Sequence, residues 1–291
     1  MASKKSAKKH YPVVRSFALS DGSPLQPSLT YRVDVGRCLS QANRRLYRYG
    51  RYYNVKIDID ADLNNQIEVF ALRDDWAVQK SFQMAFAAFE KNASEERQMM
   101  SGNQIARWSD FRVAPGQAAN EMGPVFHQGA SARELVGQGE FVNTQVIDDA
   151  GTARTFTWDD TTSSSQYSVL SEYDKAGNAQ TSPSSLVSGN VVPYEGLTSE
   201  VDGLMMNNLE AFGDNPPYDR DTVNANGPFV KIAVLDASTP NAQKLSTGFF
   251  TAPCGLVIIR KTPAELDLRE KVQLTVKTGD YKGVHAPSML E

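Results

Sequence analysis

Residues 53–60 impose the strongest constraint in the chain: Tyr53, Val55, Ile57 and Ile59 alternate with Asn54, Lys56, Asp58 and Asp60. A period of two sends the apolar side chains to one face and the polar ones to the other, the geometry of a half-buried β-strand. We read this strand over 44–60. Related runs recur at 29–36, 67–72, 141–147, 154–158, 166–172, 229–235, 247–252, 255–260 and 271–277. Turn-forming clusters such as Asp149-Ala150-Gly151 and Asn224-Ala225-Asn226-Gly227 separate many of them. Residues 11–24 read as a short extended piece closed by the turn at SDGSP. A chain this rich in strands is expected to be mainly β, a two-sheet antiparallel β-sandwich of the single jelly-roll kind.

One stretch has the helical period instead. Asp74 or Asp75 can cap it, and Val78, Phe82, Ala85, Phe86 and Phe89 form one apolar stripe suited to core packing. The pattern restarts at Ser94 and runs to Met100. A second, short helix is expected at 198–211, so the sandwich carries one or two inserted helices. Residues 1–10, MASKKSAKKH, are too poor in apolar groups to pack and are expected to be a disordered basic arm. Residues 11–291 form the jelly-roll domain. Its long loops near 160–166, 174–190 and 212–227 are expected on the exterior.

Charge is unevenly placed. Eleven Lys and Arg against Asp21 and Asp34 leave residues 1–53 at +9, so the rest of a chain of net charge −4 stands at −13. Such asymmetry points to a polyanion-binding end on an acidic body. Lys4, Lys5, Lys8 and Lys9 concentrate it in the arm, where the two Lys-Lys pairs also fit a nuclear-localisation patch. A second concentration joins Arg44, Arg45, Arg48 and Arg51 to Tyr47, Tyr49, Tyr52 and Tyr53. Arginines neutralise phosphates and tyrosine faces stack unpaired bases without reading sequence. The nucleic-acid contacts are therefore assigned to Lys4, Lys5, Lys8, Lys9, Arg44, Arg45, Tyr47, Arg48, Tyr49 and Arg51. The competing reading is a subunit contact in which the tyrosines pack and the arginines pair with acids of the body.

Little else points to chemistry. The three histidines, His10, His127 and His285, have no metal-ligand partner at short spacing, and no hydrolase, phosphate-loop or dinucleotide motif occurs. The chain is expected to be no enzyme and to carry no cofactor. Asp58, Asp60 and Asp62 fall on one strand face and are a lesser candidate for a cation, although Leu63 and Val69 stand where an EF-hand needs Gly and Glu. Cys38 and Cys254 sit beside apolar residues and read as core. No secretory signal is evident, and no apolar run approaches the ~18 residues that span a bilayer, so no membrane insertion is expected.

Three segments carry a family resemblance: RLYRYGRYYNVKIDID at 45–60, IEVFALRDDWAVQKSFQMAFAAF at 67–89 and ARWSDFRV at 106–113, with GDYKGVHAP at 279–287 in keeping. They resemble capsid proteins of unclassified circular, Rep-encoding single-stranded DNA (CRESS DNA) viruses. The resemblance covers about a third of the chain. It implies a jelly-roll subunit that self-assembles, as some sixty copies, into a small icosahedral T=1 shell. It further implies a basic N-terminus facing a packaged single-stranded DNA genome, location in the virion with assembly in the host nucleus, and a host receptor the sequence leaves unnamed. Many members of the group carry a long Arg-rich arm, whereas this arm has four lysines. Sixty +9 segments give roughly 540 cations, far fewer than the phosphates of such a genome, so small cations must share the neutralisation. The alternative is another jelly-roll protein, an RNA-virus or phage coat or a lectin-like module. Trp158, followed by Asp159 and Asp160, is the aromatic placed for a lectin site, whereas Trp108 reads as part of an apolar-basic strand.

Overall fold

Burial of alternating apolar side chains fixes the framework. Val55, Ile57, Ile59, Ile67, Val69, Val257, Ile259 and Leu274 lose all their exposed surface. Each such side chain contributes about 1.5–3 kcal/mol relative to its exposed state. The computed structural model describes residues 12–20, 25, 29–61, 66–100, 106, 108–116, 119–128, 132–135, 141–147, 151–159, 163, 165–177, 227–236, 243–262 and 271–291. The lysine arm, the expected helix at 198–211 and most of the three expected exterior loops lie outside them.

In chain order the elements are β1 (Ser16–Ser20), β2 (Thr30–Asp34), α1 (Val35–Asn43), β3 (Tyr52–Ala61), β4 (Gln66–Leu72) and α2 (Trp76–Met99). There follow β5 (Asn120–Gln128), β6 (Ala132–Leu135), β7 (Gln145–Ile147), β8 (Ala153–Thr157), β9 (Gln166–Ser168) and α3 (Val169–Gly177). The chain ends with β10 (Phe229–Asp236), β11 (Gln243–Pro253), β12 (Leu256–Thr262) and β13 (Lys271–Val276).

Eight of these strands make the sandwich. One sheet runs β1-β13-β3-β11 and the other β2-β12-β4-β10, every pair antiparallel. Taken alone in chain order, the first strand pairs with the last, the second with the seventh, the third with the sixth and the fourth with the fifth. This is one long folded hairpin rolled on itself, the jelly-roll topology. Between β4 and β10, at the hairpin tip, the described residues add β5 to β9 with α2 and α3.

The insertion both laces and thickens the sandwich. Asn120–Met122 of β5 pair parallel to β2, and Gly123–Val125 then pair antiparallel to β1, so one strand ties the two sheets together. Gly123 and Pro124 stand where β5 changes sheet, the place a strand tolerates residues that weaken a ladder. Those two residues hid β5 from a reading by alternation. A second core lies under α2, where Phe82, Phe111, Phe156, Trp158 and Leu170 pack with Leu72 and Leu256 of the sandwich. The three-stranded sheet β7-β8-β9 and α3 close it. Cys38 and Cys254 are buried free thiols, in keeping with core roles.

The structure redraws several expected boundaries. The strand expected over 29–36 stops at Asp34, whose carboxylate accepts from the Arg37 N–H at 2.8 Å and starts α1. Residues 44–51 are irregular, and β3 begins only at Tyr52. The strand expected at 166–172 is three residues long and passes directly into α3. Of 141–147 only Gln145–Ile147 pair, and Trp108 lies outside any strand, 59% exposed. The helix expected in two parts is one continuous α2, capped by Asp75, whose side chain accepts from Val78 N–H.

Glu68 on the outer face of β4 gives this sheet a pH dependence. It accepts hydrogen bonds from Lys231 of β10 and from Arg260 of β12 (Nε, 2.9 Å), and both cations lie over the Phe70 ring. The Lys231 hydrogen bond, aided by Arg260, holds the Glu68 carboxyl below its ordinary value against the effect of burial. A depressed carboxyl contributes stability above its unfolded-state value and loses it as pH falls through the folded-state value. Glu68→Gln is expected to cost about 0.5–1 kcal/mol at pH 7, because both partners are half exposed. The same comparison at pH 3 should show the difference shrunken; urea denaturation at the two pH values measures it.

Candidate nucleic-acid interface

The Arg/Tyr stretch owes its conformation to segments far away in sequence. Ser40 at the end of α1 accepts from the Tyr47 N–H at 2.8 Å. The Tyr53 hydroxyl donates to Arg48 C=O at 2.6 Å. Residues 281–289 then zip along the stretch: Tyr47 OH donates to Lys282 C=O, Arg48 N–H to Tyr281 OH, and Met289 N–H to Gly50 C=O. A Cβ at Gly50 would stand 2.7 Å from the buried Phe82 ring and would have to displace it.

This packing corrects the expected role of two residues. Tyr47 and Tyr49 are buried to within 1% of completely, so neither ring is presented to a base. Tyr49 is the hub of a polar junction. Its hydroxyl donates to Val113 C=O and accepts from Trp158 Nε1, each at 2.9 Å, and its N–H donates to Asp110 at 2.7 Å. Trp158 is fully buried with it, which removes the lectin-site aromatic from the surface. Residues 45–60, 67–89 and 106–113 meet here through the Tyr49, Phe82 and Phe111 rings, whereas Val284 and Ala286 pack with Tyr47 in the sandwich core.

The arginines divide. Arg51 lies 3.5 Å above the Tyr281 ring centroid and donates to Ala286 C=O at 2.7 Å, a clamp on the C-terminal segment. Arg48 is exposed but stands 3.6 Å from Asp110, whose carboxyl burial pushes up. Arg44 caps α1 in the left-handed conformation and is exposed, and Arg45 is partly exposed. Arg32 and Arg37 share Glu121, and Arg112 pairs with Asp34. From Arg48 to Arg32 the charges thus alternate: Arg48, Asp110, Arg112, Asp34, Arg37, Glu121, Arg32. Arg32, Arg37 and Arg48 of the +9 segment are thus engaged by acids of the body.

The aspartate face also changes meaning. Asp58 is nearly buried and bound to Lys56 at 2.8 Å, a contact that helps hold its carboxyl low; Asp60 is exposed, and Asp62 lies outside the described residues. A carboxylate engaged by an ammonium group is a poor cation ligand, and no metal-binding group of His, Cys, Asp and Glu occurs among the described residues. Lys4, Lys5, Lys8 and Lys9 lie outside them.

One surface does bring cations, hydroxyls and an exposed ring together. Arg15, Ser16, Phe249, Thr275 and Lys277 line an open groove beside the end of the β1-β13 ladder. The signal for it in the sequence is the pair Phe249-Phe250: two adjacent aromatics in a strand cannot both face the core. The fold thus defines a single jelly-roll protein. No protein-family model, curated protein or solved structure matches the chain.

Proposed function

We propose that this chain is a capsid protein of the circular, Rep-encoding single-stranded DNA virus type. In this reading it is a non-enzymatic subunit that self-assembles into a small icosahedral shell of sixty copies and packages single-stranded DNA without reading its sequence. The observation that carries the reading is a jelly-roll sandwich whose first strand, β1, is preceded by a lysine-rich arm. An acidic body with one basic end fits a subunit that repels its neighbours weakly while holding a polyanion on one side. The virion and, during assembly, the host nucleus are the locations this implies, with a host receptor as the external partner. Among the described residues no helix is long and apolar enough to cross a membrane.

Burial of Tyr47 and Tyr49 counts against base stacking by the Arg/Tyr stretch, and in this reading the lysine-rich residues 1–10 take the nucleic-acid role. Sixty arms supply about 240 lysines, so most of the genome charge is left to mobile cations. Another jelly-roll binding module is the second reading, and burial of Trp158 counts against its carbohydrate form.

Deleting residues 1–10 tests the arm. Particles of the full chain, treated with nuclease and purified on a density gradient, are expected to carry protected nucleic acid with a 260/280 nm ratio well above that of protein. Particles of the truncated chain should lose most of it. An unchanged ratio would remove the arm from the packaging account.

A further inference from the structure

Ser16, Thr275, Lys56 and Phe249 stand side by side across the β1-β13-β3-β11 sheet, one from each strand, in direct register. Their neighbours Val55 and Val276 are core residues, so these four face outward. A register shift between Ser246 and Phe249 sends Phe250 onto the core and leaves Phe249 51% exposed. Arg15, just before β1, and Lys277, just after β13, frame the row. The groove is open and offers about 500 Å³, room for a nucleotide. Lys56 is engaged by Asp58. Among the described residues neither Arg15 nor Lys277 pairs with an acid.

We propose that this groove is a nucleotide subsite for single-stranded DNA. One unpaired base lies on the Phe249 ring, and Arg15 and Lys277 meet the adjoining phosphates. An exposed ring beside two unpaired cations supplies the two contacts that bind single strands without regard to sequence: stacking and charge neutralisation. Val13 also lines the groove. The proposal rests on the packaging reading above and names the folded surface that takes part.

Fluorescence anisotropy of fluorescein-labelled dT20 on the full chain tests it, with particle formation followed by electron microscopy on the same samples. Phe249→Leu keeps an apolar side chain but removes the stacking face, and is expected to weaken binding about tenfold. Phe249→Tyr should bind as the parent does. Arg15→Gln with Lys277→Gln is expected to lower the slope of log affinity against log salt by about 1.4. Parent-like affinity in Phe249→Leu, or an unchanged salt slope in the double variant, would overturn the groove assignment even where particles still form. A chain that forms no particles yet shows the expected affinity losses would sink the shell reading and leave the groove standing. If rU20 depends on Phe249 more strongly than dT20 does, the assignment to DNA fails.

Discussion

Asp34→Ser is expected to destabilise the subunit by about 3–5 kcal/mol. Asp34 ends β2 and has two duties. One carboxylate oxygen caps α1 through the Arg37 N–H, and the other accepts from Arg112 Nη2. Serine keeps an oxygen for the cap, so the loss isolates the charge. The Arg112 side chain is only 7% exposed. Its Nε and Nη1 find no hydrogen-bond partner among the described residues, and its faces rest on Tyr49 and Phe141, each ring centroid 5.0 Å away. Burial works against the charged form, yet Asp34, Tyr49 and Asp110 together hold the Arg112 pKa above its ordinary value. Removing Asp34 leaves this guanidinium in the interior without its carboxylate. Replacing both, Asp34→Ser with Arg112→Met, is expected to recover most of the loss, because a buried pair exchanged for apolar packing is often near neutral. A double-mutant cycle by urea denaturation of dissociated subunits measures both values. A loss below about 1 kcal/mol for Asp34→Ser would show that water reaches Arg112 and that the pair is not structural.

Tyr49→Phe comes next, at about 2–4 kcal/mol. The hydroxyl serves two buried groups, the Val113 carbonyl and the Trp158 indole N–H. Phenylalanine leaves both without a partner, at about 1–3 kcal/mol each. This substitution also separates the two roles open to the residue. A phenyl ring stacks on bases as well as a phenol does, so a base platform would tolerate the change. A buried junction would not. Loss of thermal stability with unchanged dT20 affinity is the expected result; unchanged stability with weakened binding would return Tyr49 to the nucleic-acid interface.

The sandwich was legible because alternation is local. Val55, Ile57 and Ile59 declare their face from neighbours two residues away, and the strands at 67–72, 229–235, 247–252, 255–260 and 271–277 followed with small shifts of boundary. Where alternation was absent or misleading, strands and helices were missed. The signal for α1 was present, a capping Asp34 followed by Val35, Cys38 and Leu39 at helical spacing, but Val33 and Val35 also continued the strand pattern. Gly123-Pro124 concealed β5 because a residue suited to changing sheets looks like a residue that breaks one.

The site was harder to read for a physical reason. Arginine and tyrosine are amphipathic, so the same composition serves a packed junction and a nucleic-acid surface. The choice at Tyr47 is made by Lys282, 235 residues away, whose carbonyl takes the Tyr47 hydroxyl. No local pattern carries that information. The groove was hidden similarly: Arg15, Phe249 and Lys277 are far apart in sequence and meet only because β1, β13, β3 and β11 lie in that order.

Negative-stain microscopy of the purified full chain after nuclease treatment, at moderate salt, tests the proposed shell most directly. Closed round particles of uniform diameter are expected, with a mass by sedimentation near sixty times the 32.0 kDa subunit, roughly 1.9 MDa. A folded chain that remains a 32.0 kDa monomer across salt and pH would contradict it.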